Sequence, residues 1–282
     1  MKIILSRKGF DSTSGGVPSP IFPDGRMLSL PIPDKQSQVA YQDIRGYEST
    51  SMGELVSQLA SIPRTHRAHL DPDISRQSIS RLRGWRPIFG QVGSSEGHLR
   101  NQQVGRGDVF LFFGLFRRIE QSSEGWRYVR EAKPMHVLFG WLQVAERIPV
   151  SSWSAKDHWA LYHPHFSRHP HRSNVIYASS KRLQLPHRAS NGIAGAGTFQ
   201  FYSPKLRLSA PDSNRPSQWL LPEWFSPIKR KSTLSFHSDA ARWEKAIGGV
   251  TLSSVSRGQE FVLNCDHYPE AIPWLRGLLS PA

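Results

Sequence analysis

The segment DHWALYHPHFSRHPH, residues 157–171, concentrates the side chains best suited to chemistry. Its two His-x-His pairs include His163 and His165, and imidazole titrates near neutral pH, so either ring could act as a general acid. The same pairs, with Asp157, could instead ligate a metal ion through imidazole and carboxylate groups. A third interpretation is a stiff proline loop whose histidines contact phosphate or solvent. We favour acid–base catalysis by His163 and His165 and predict no metal site.

A second polar group follows the first apolar run of the chain. Residues 3–5 (IIL) predict a strand, which leads into SRKGFDSTSGG at 6–16. Glycines let the backbone approach a ligand closely, and the cations and hydroxyls of this turn suit a phosphate or a sugar phosphate. We predict that Asp11 is a catalytic residue, as a general base or an anchor for a sugar hydroxyl. The predicted phosphate-binding residues of the turn are Arg7, Lys8, Ser12, Gly15 and Gly16. The turn is not a P-loop, and the alternative is a solvated N-terminal hairpin.

Cations dominate the middle of the chain. Residues 158–211 hold seven Lys or Arg, six His and no Asp or Glu, and the whole chain has a net charge of +14. Such a surplus indicates a polyanionic partner, although a basic protein without such a partner is the simpler alternative. Further predicted phosphate contacts are Arg168, Arg172 and His237.

These residues are compatible with two functions. In the first, the opening turn and the His163–His165 segment line one site, with Asp239 and Glu260 beside it, and the site carries out hydrolysis or group transfer. In the second, the protein reads modified nucleic acid without catalysis and stacks bases on aromatic side chains. The stacking candidates are Trp85, Trp141, Trp159 and Tyr162. A third interpretation is an interaction subunit of a modification complex.

An α+β fold must position these groups. Apolar runs bounded by Gly and Pro predict a mixed or antiparallel curved sheet with long loops, in a single domain spanning residues 1–282. Gly114 and Gly140 interrupt two of the runs and predict bulges or tight curvature. The predicted strands are 3–5, 27–30, 109–118, 126–130, 135–150, 174–179, 198–202 and one after residue 258. The predicted helices are 51–61, 78–85, 235–246 and one near the C-terminus.

Composition excludes several classes of protein. The single cysteine, Cys265, rules out an internal disulfide and a cysteine-based zinc cluster. No run of 18 apolar residues is present, which argues against a transmembrane helix, and the first apolar stretch is too short for a signal peptide. The sequence therefore predicts a cytoplasmic protein that does not bind a membrane.

Several segments resemble the nucleotide modification associated domain, type 3 family. They are the opening SRKGFDSTSGGVPSPIFPDGRMLSLPIPD, GDVFLFFGLFR at 107–117, HVLFGWLQVAE at 136–146, HPHF at 163–166, SQWLLPEWF at 217–225, SFHSDAARW at 235–243 and GQEF at 258–261. The resemblance spans nearly the whole chain and implies a role in systems that make or process modified nucleotides in DNA. It implies no particular fold, catalytic residue or cofactor.

The pair GDVFLFFG and HVLFGWLQV, within residues 107–144, also resembles the core hairpin of PUA-like and ASCH/EVE-like domains. Those domains are small β-barrels that hold RNA or modified bases, so the resemblance implies a barrel core. We predict a hydrolase or transferase acting on a modified or to-be-modified nucleotide, and the alternative is a non-catalytic reader of modified DNA or RNA. The expected partners are nucleic acid, DNA rather than RNA, or a nucleotide, together with subunits of a modification system.

Overall fold

The computed structural model describes residues 1–154, 156–167, 171–186, 192–227, 234–255 and 258–280 of the chain. Within these segments, the α-helices are α1 (Met52–Ala60), α2 (Gly93–Asn101), α3 (Pro164–Ser167) and α4 (Ala271–Leu279). The strands of the first half of the described chain are β1 (Lys2–Arg7), β2 (Ser19–Ile21), β3 (Ile88–Gln91), β4 (Val109–Ser122), β5 (Gly125–Tyr128) and β6 (Met135–Pro149). Those of the second half are β7 (Val175–Ser179), β8 (Ala196–Thr198), β9 (Gln218–Leu221), β10 (Trp243–Ala246), β11 (Gly249–Ser253) and β12 (Glu260–Asn264).

Nine strands form one mixed sheet in the order β12-β1-β4-β6-β7-β3, with β2 and β5 beside β4 and β8 beside β6. β1 runs parallel to β4 and antiparallel to β12, whereas β4 and β6 form a long antiparallel pair. The remaining strands form a small antiparallel sheet in the order β10-β11-β9. The predicted α+β class with a mixed sheet is confirmed. Across the described residues the sheet stays open, so the barrel core implied by the PUA-like resemblance is wrong.

The centre of the large sheet is built from the apolar runs of the sequence. Residues 3–5 of β1 and the phenylalanines of β4 are almost completely buried, and each such side chain contributes about 1.5–3 kcal/mol. A register shift in the β4–β6 pair lies next to Gly140, which confirms the predicted bulge there. At Gly114 the register is regular, but a Cβ would lie 2.7 Å from the carbonyl oxygen of Lys8. That glycine lets the loop after β1 pass close to β4.

Helix α1 shows how local sequence determines structure where no distant residue intervenes. Ser51 accepts a hydrogen bond from the N–H of Glu54 (3.1 Å), and the Glu54 carboxylate accepts one from the Ser51 N–H (2.6 Å). This capping box confirms the predicted helix start. The predicted helix at 78–85 is wrong because the segment is irregular, with a bend at 78–79 and a turn at 83–84, and the Arg81 guanidinium donates to Asp73.

Three other local predictions also fail. The predicted helix at 235–246 is instead a 3₁₀ turn followed by β10, because pairing with β11 satisfies the backbone of residues 243–246. Residues 27–30 form no strand and contribute only an isolated bridge at Met27, while β2 forms earlier in the chain. The strand predicted at 198–202 ends at Thr198. None of the described helices has both the length and the apolar character needed to cross a membrane.

Candidate functional site

A cavity of about 290 Å³ opens where the C-terminal end of β1 meets β3 and the loop that follows β1. Its polar lining comes from segments far apart in the sequence. The side chains that matter for chemistry are Arg7, Lys8, Asp11, His69, Asp71 and His165. The opening turn and the His-Pro-His segment therefore lie at one cavity, the arrangement that the sequence analysis expected.

The basic wall of the cavity consists of Arg7 and Lys8. Lys8 Nζ lies 2.7 Å from Glu260 Oε1, and these two side chains are only 10% and 1% exposed. The ammonium also lies 4.8 Å from the centre of the Phe89 ring. Arg7 Nη2 donates to the carbonyl oxygen of Gly258 (3.3 Å). The surrounding structure therefore fixes both cations, and Glu260 offsets part of their charge.

Asp11 shapes the turn that carries it. Its Oδ1 accepts hydrogen bonds of 2.8 Å from the N–H groups of both Thr13 and Ser14. An aspartate that bonds the backbone two and three residues ahead is a common way to close a turn. Asp11 therefore has a structural role besides any chemical one.

The glycines of the turn are required by its backbone. Gly15 and Gly16 have φ angles of +85° and +79°, a region that other residues rarely adopt. A Cβ at Gly15 would also lie 2.3 Å from the ring of Phe10. Ser12 lies on the opposite side of the turn, where it lines a second cavity. The turn places Asp11 and Ser14 in the first cavity, and its two glycines make this path possible.

Asp71 occupies the buried end of the cavity, with a side chain only 4% exposed. Its Oδ1 accepts a hydrogen bond from the N–H of Gly90 (2.9 Å) and lies 3.2 Å from His163 Nε2. His163 Nδ1 faces the N–H of His165 at 3.4 Å. The proton of the His163 ring therefore belongs on Nε2, where it is donated to Asp71. Two donors hold Oδ1 of Asp71 in place.

Two further imidazoles face the other carboxylate oxygen, Oδ2 of Asp71. His165 Nε2 lies 3.6 Å from it and His69 Nε2 lies 3.7 Å from it. On the far side of the rings, His69 Nδ1 lies 2.7 Å from Asp34 Oδ2, and His165 Nδ1 lies 2.6 Å from Asn174 Oδ1. The Asn174 amide nitrogen donates to the backbone carbonyl of His165, which turns its oxygen toward the ring. Because both outer oxygens accept, each Nδ1 carries a proton, and both Nε2 atoms point inward.

The electrostatics of this group follow from its burial. Burial alone would raise the pKa of Asp71, but the hydrogen bond from His163 and the other imidazoles around the carboxylate hold it well below the usual range. Burial lowers the pKa of His165 to about 3, although the charge of Asp71 opposes this shift. At neutral pH an ionised carboxylate therefore faces an uncharged His165 ring. Such a group can accept a proton or bind a cation.

Other predicted site residues lie elsewhere. His237 is fully buried, with Nδ1 2.9 Å from the carbonyl oxygen of Ser235 and Nε2 accepting from the N–H of Val255 (3.2 Å). The structure does not bring it to the cavity. Arg172 is exposed and precedes β7, outside the cavity lining. Arg168 lies outside the described residues.

The four aromatic residues proposed for base stacking make contacts within the fold. Trp159 is buried, and Trp141 donates to a backbone carbonyl oxygen 3.0 Å away. Trp85 Nε1 lies 2.9 Å from the Tyr162 hydroxyl and 3.2 Å from an Asp73 oxygen. Trp159 thus belongs to the core, whereas Trp85, Trp141 and Tyr162 are partly buried and bond to other groups of the fold.

Sequence reasoning missed much of the buried group, namely His69, Asp71, Asp34 and Asn174. The signal that could have found the first two is the short pattern His69-x-Asp71, since alternate residues of an extended segment share a face. Asp34 and Asn174 act through other side chains, and their roles become apparent only once the chain is folded.

Two more cavities adjoin the site. One of about 270 Å³ shares Arg7, Lys8 and Asp11 and is also lined by His136. Burial and the charge of Arg7 lower the pKa of His136 to about 3, and its Nδ1 accepts a hydrogen bond from Trp219 (3.0 Å). The other cavity, of about 350 Å³, shares Asp71 with the first. Asp11 and Asp71 thus each lie on a boundary between two cavities.

The fold and the cavity define an α+β protein with a buried histidine–carboxylate group at the end of a mixed sheet. The chain belongs to the nucleotide modification associated domain 3 family, whose model matches residues 2–264. The family description associates the chain with nucleotide modification. Neither a curated protein nor a solved structure matches it.

Proposed function

We propose that the chain is an enzyme, a hydrolase or a transferase, that acts on a nucleotide or on a base of DNA within a nucleotide modification system. The cavity at the end of β1 is its active site. One observation carries this proposal: the cations and carboxylate of the opening turn share a cavity with the buried histidine–carboxylate group. A cavity with convergent polar groups from distant segments is the arrangement expected of an active site.

The geometry suggests a division of roles. Arg7 and Lys8 hold a phosphate group, since cationic donors pair strongly with phosphate oxygens. Asp11 acts as a general base or anchors a sugar hydroxyl. His165 lines the cavity and can reach a ligand, whereas His163 is fully buried and acts by positioning Asp71.

The size of the cavity indicates how much of a substrate it takes. Small-molecule sites have volumes of about 300–1,000 Å³, and this cavity of about 290 Å³ lies at the lower end. It therefore suits a single nucleotide or part of one. A base within duplex DNA would have to leave the stack to enter, as it does in enzymes that act on bases.

The test is turnover by the wild-type protein and two variants. The protein is incubated with deoxynucleotides and with DNA containing ordinary or modified bases, and products are identified by mass spectrometry after digestion to nucleosides. We expect Asp11→Asn and His165→Ala each to lower turnover at least about 100-fold with little change in melting temperature. Asn retains the oxygen that closes the turn, so Asp11→Asn tests the charge alone. The matched control is Asp239→Asn, because Asp239 closes a turn in the same way elsewhere (3.0 Å to the N–H of Ala241).

Two results would contradict the proposal. Absence of turnover by the wild-type protein on every substrate, combined with tight binding to modified DNA, would favour the reader. Unchanged turnover in both variants would place the reaction elsewhere in the molecule.

A further inference from the structure

We propose that His69, Asp71 and His165 bind a divalent transition-metal ion of the zinc and iron class. The inference deepens the proposed function, on which its catalytic meaning rests, but metal binding can be tested without any nucleotide. The candidate ligand atoms are the two Nε2 atoms and Oδ2 of the carboxylate. Within the described residues, these three side chains offer ligand atoms that all lie within 4.8 Å of one another.

Their spacing separates this centre from an ordinary hydrogen-bonded cluster. The contacts of 3.6 and 3.7 Å between Asp71 Oδ2 and the two Nε2 atoms are too long for hydrogen bonds. Ligands about 2.0–2.1 Å from a tetrahedral ion lie about 3.3–3.4 Å apart. The two distances from the carboxylate oxygen to the imidazole nitrogens are therefore close to those expected around a bound ion, and all three ligand atoms lie within 4.8 Å of one another.

The outer contacts fit the same interpretation. Metal-binding histidines almost always donate their second ring N–H to a carboxylate or another acceptor, which fixes the ring and its tautomer. His69 meets Asp34 in this way at 2.7 Å, and His165 meets Asn174 at 2.6 Å. The carboxylate of Asp71 is itself held through its other oxygen. Each of the three ligands thus has a partner that orients it.

Charge provides an independent argument. The chain is strongly basic, yet the groups at this cavity carry more carboxylates than cations when the imidazoles are uncharged. The cations are Arg7 and Lys8, and the carboxylates that line the cavity or bond its lining are Asp11, Asp34, Asp71 and Glu260. A site for a phosphate cannot carry excess negative charge, and a divalent ion between the histidines would cancel this excess.

The donor set limits which ions fit. Two imidazoles and one carboxylate suit zinc, iron and their neighbours, whereas magnesium and calcium prefer oxygen ligands alone. All three residues line the cavity, so an ion held by them keeps coordination positions open toward a ligand. Three protein ligands with an open position are typical of catalytic rather than structural sites.

The experiment uses the full chain without a polyhistidine tag. Metal content is measured by mass spectrometry after purification, Zn²⁺ affinity by calorimetry on chelator-treated protein, and Co²⁺ coordination by its visible absorption. We expect one ion per chain, and at least a 100-fold loss of Zn²⁺ affinity in His69→Ala and His165→Ala. His171→Ala is the matched control, because His171 is exposed on the same segment and should leave the affinity unchanged.

Two additions keep the test decisive if a variant folds poorly. Zn²⁺ should raise the melting temperature of the wild-type protein, a result that needs no variant. His163→Asn should weaken Zn²⁺ binding about 10–100-fold while far-ultraviolet circular dichroism stays unchanged, since His163 positions Asp71 without touching the ion. Wild-type protein that binds less than one-fifth of an equivalent, or variants that bind like the wild type, would overturn the proposal in favour of an imidazolium paired with Asp71.

The outcomes also separate this proposal from the proposed function. If the ion binds but no substrate is turned over, the metal site stands and the enzyme proposal fails. If the protein binds no ion but turns over a substrate, the enzyme proposal stands and the metal site fails.

Discussion

Buried histidines occur in two surroundings in this protein. At the cavity, His69, His163 and His165 all face the carboxylate of Asp71, and further polar groups hold their outer nitrogens. In the core, His237 is as deeply buried, but its ring nitrogens bond to backbone groups. Burial alone therefore does not distinguish the two surroundings.

The difference lies in what the second nitrogen of each ring meets. The His237 ring packs against Phe261 at 4.7 Å, and its Nε2 accepts a hydrogen bond from a backbone N–H, so this nitrogen already has a donor as partner. The Nε2 atoms of His69 and His165 instead point at an oxygen that also accepts. Facing acceptors are stable only with a proton or a cation between them. A buried histidine therefore indicates function when its inner nitrogen meets a second acceptor.

For the comparison of the two surroundings, the largest expected effect comes from closing the space around His165. A Cβ at Gly90 would lie 2.3 Å from the His165 ring, so Gly90→Ala must displace the ring or the strand. We expect Zn²⁺ affinity and turnover to fall at least about tenfold and the free energy of unfolding to fall by about 1–3 kcal/mol. Calorimetry, the product assay and chemical denaturation measure these three quantities.

Gly97 provides the control for this substitution. It lies in α2, and a Cβ there would meet no atom within 4 Å. Gly97→Ala should therefore raise the free energy of unfolding by about 0.5–1 kcal/mol and leave metal binding unchanged. If Gly90→Ala behaved like Gly97→Ala, the position of the His165 ring would not matter for the site.

The core histidine, His237, should affect the pH dependence of the free energy of unfolding rather than turnover. Burial lowers the pKa of His237 to about 4, with a smaller contribution from Arg242, whereas the unfolded chain titrates near its ordinary value of about 6.5. Below pH 6.5 the unfolded state binds a proton that the folded state does not. His237 alone should therefore lower the free energy of unfolding by up to about 1.4 kcal/mol per pH unit between pH 6.5 and about 4, and His136 and His165 add to the total slope in the same direction.

Urea denaturation at a series of pH values measures this slope. His237→Asn should reduce the slope by up to about 1.4 kcal/mol per pH unit, because the amide can bond the same backbone groups without titrating, and should leave turnover at neutral pH unchanged. The exposed His158 is the control, since His158→Asn should leave the slope as it is. Loss of turnover in His237→Asn would place that residue in the functional site after all.

The sequence predicts those parts of the fold that depend on neighbours along the chain. The apolar runs at 3–5, 109–118 and 135–150 became β1, β4 and β6, because such runs gain burial on both faces of a sheet. The helix predicted at 78–85 does not form, because Arg81 pairs with the Asp73 carboxylate outside the segment, a contact that local helix propensity cannot show.

In the candidate site, too, local sequence predicts some residues and misses those that depend on long-range pairing. The Asp11 turn and His165 were predicted from local composition, and both line the cavity. Asp71 and His69 were missed because neither stands out until the bridge from Asp73 to Ile88 brings their loop beside β3. Long-range pairing, rather than residue type, determines which polar residues meet.

The smallest expected effect concerns the exposed cations of the carboxylate-free segment that carries His163 and His165. Arg172, Lys181 and Arg182 are exposed and lie outside the cavity lining. If they hold a polyanion while the histidines serve the reaction, Ala at all three should weaken DNA binding about two- to tenfold, and each lost phosphate contact should reduce the salt slope by about 0.9. Turnover of a free nucleotide should not change.

Fluorescence anisotropy across a range of salt concentrations measures the slope, and an unchanged affinity at every salt concentration would show that this surface does not contact nucleic acid. A fall in free-nucleotide turnover would instead mean that these cations and the cavity act as one site. The histidine group and the basic surface would then not have separate roles.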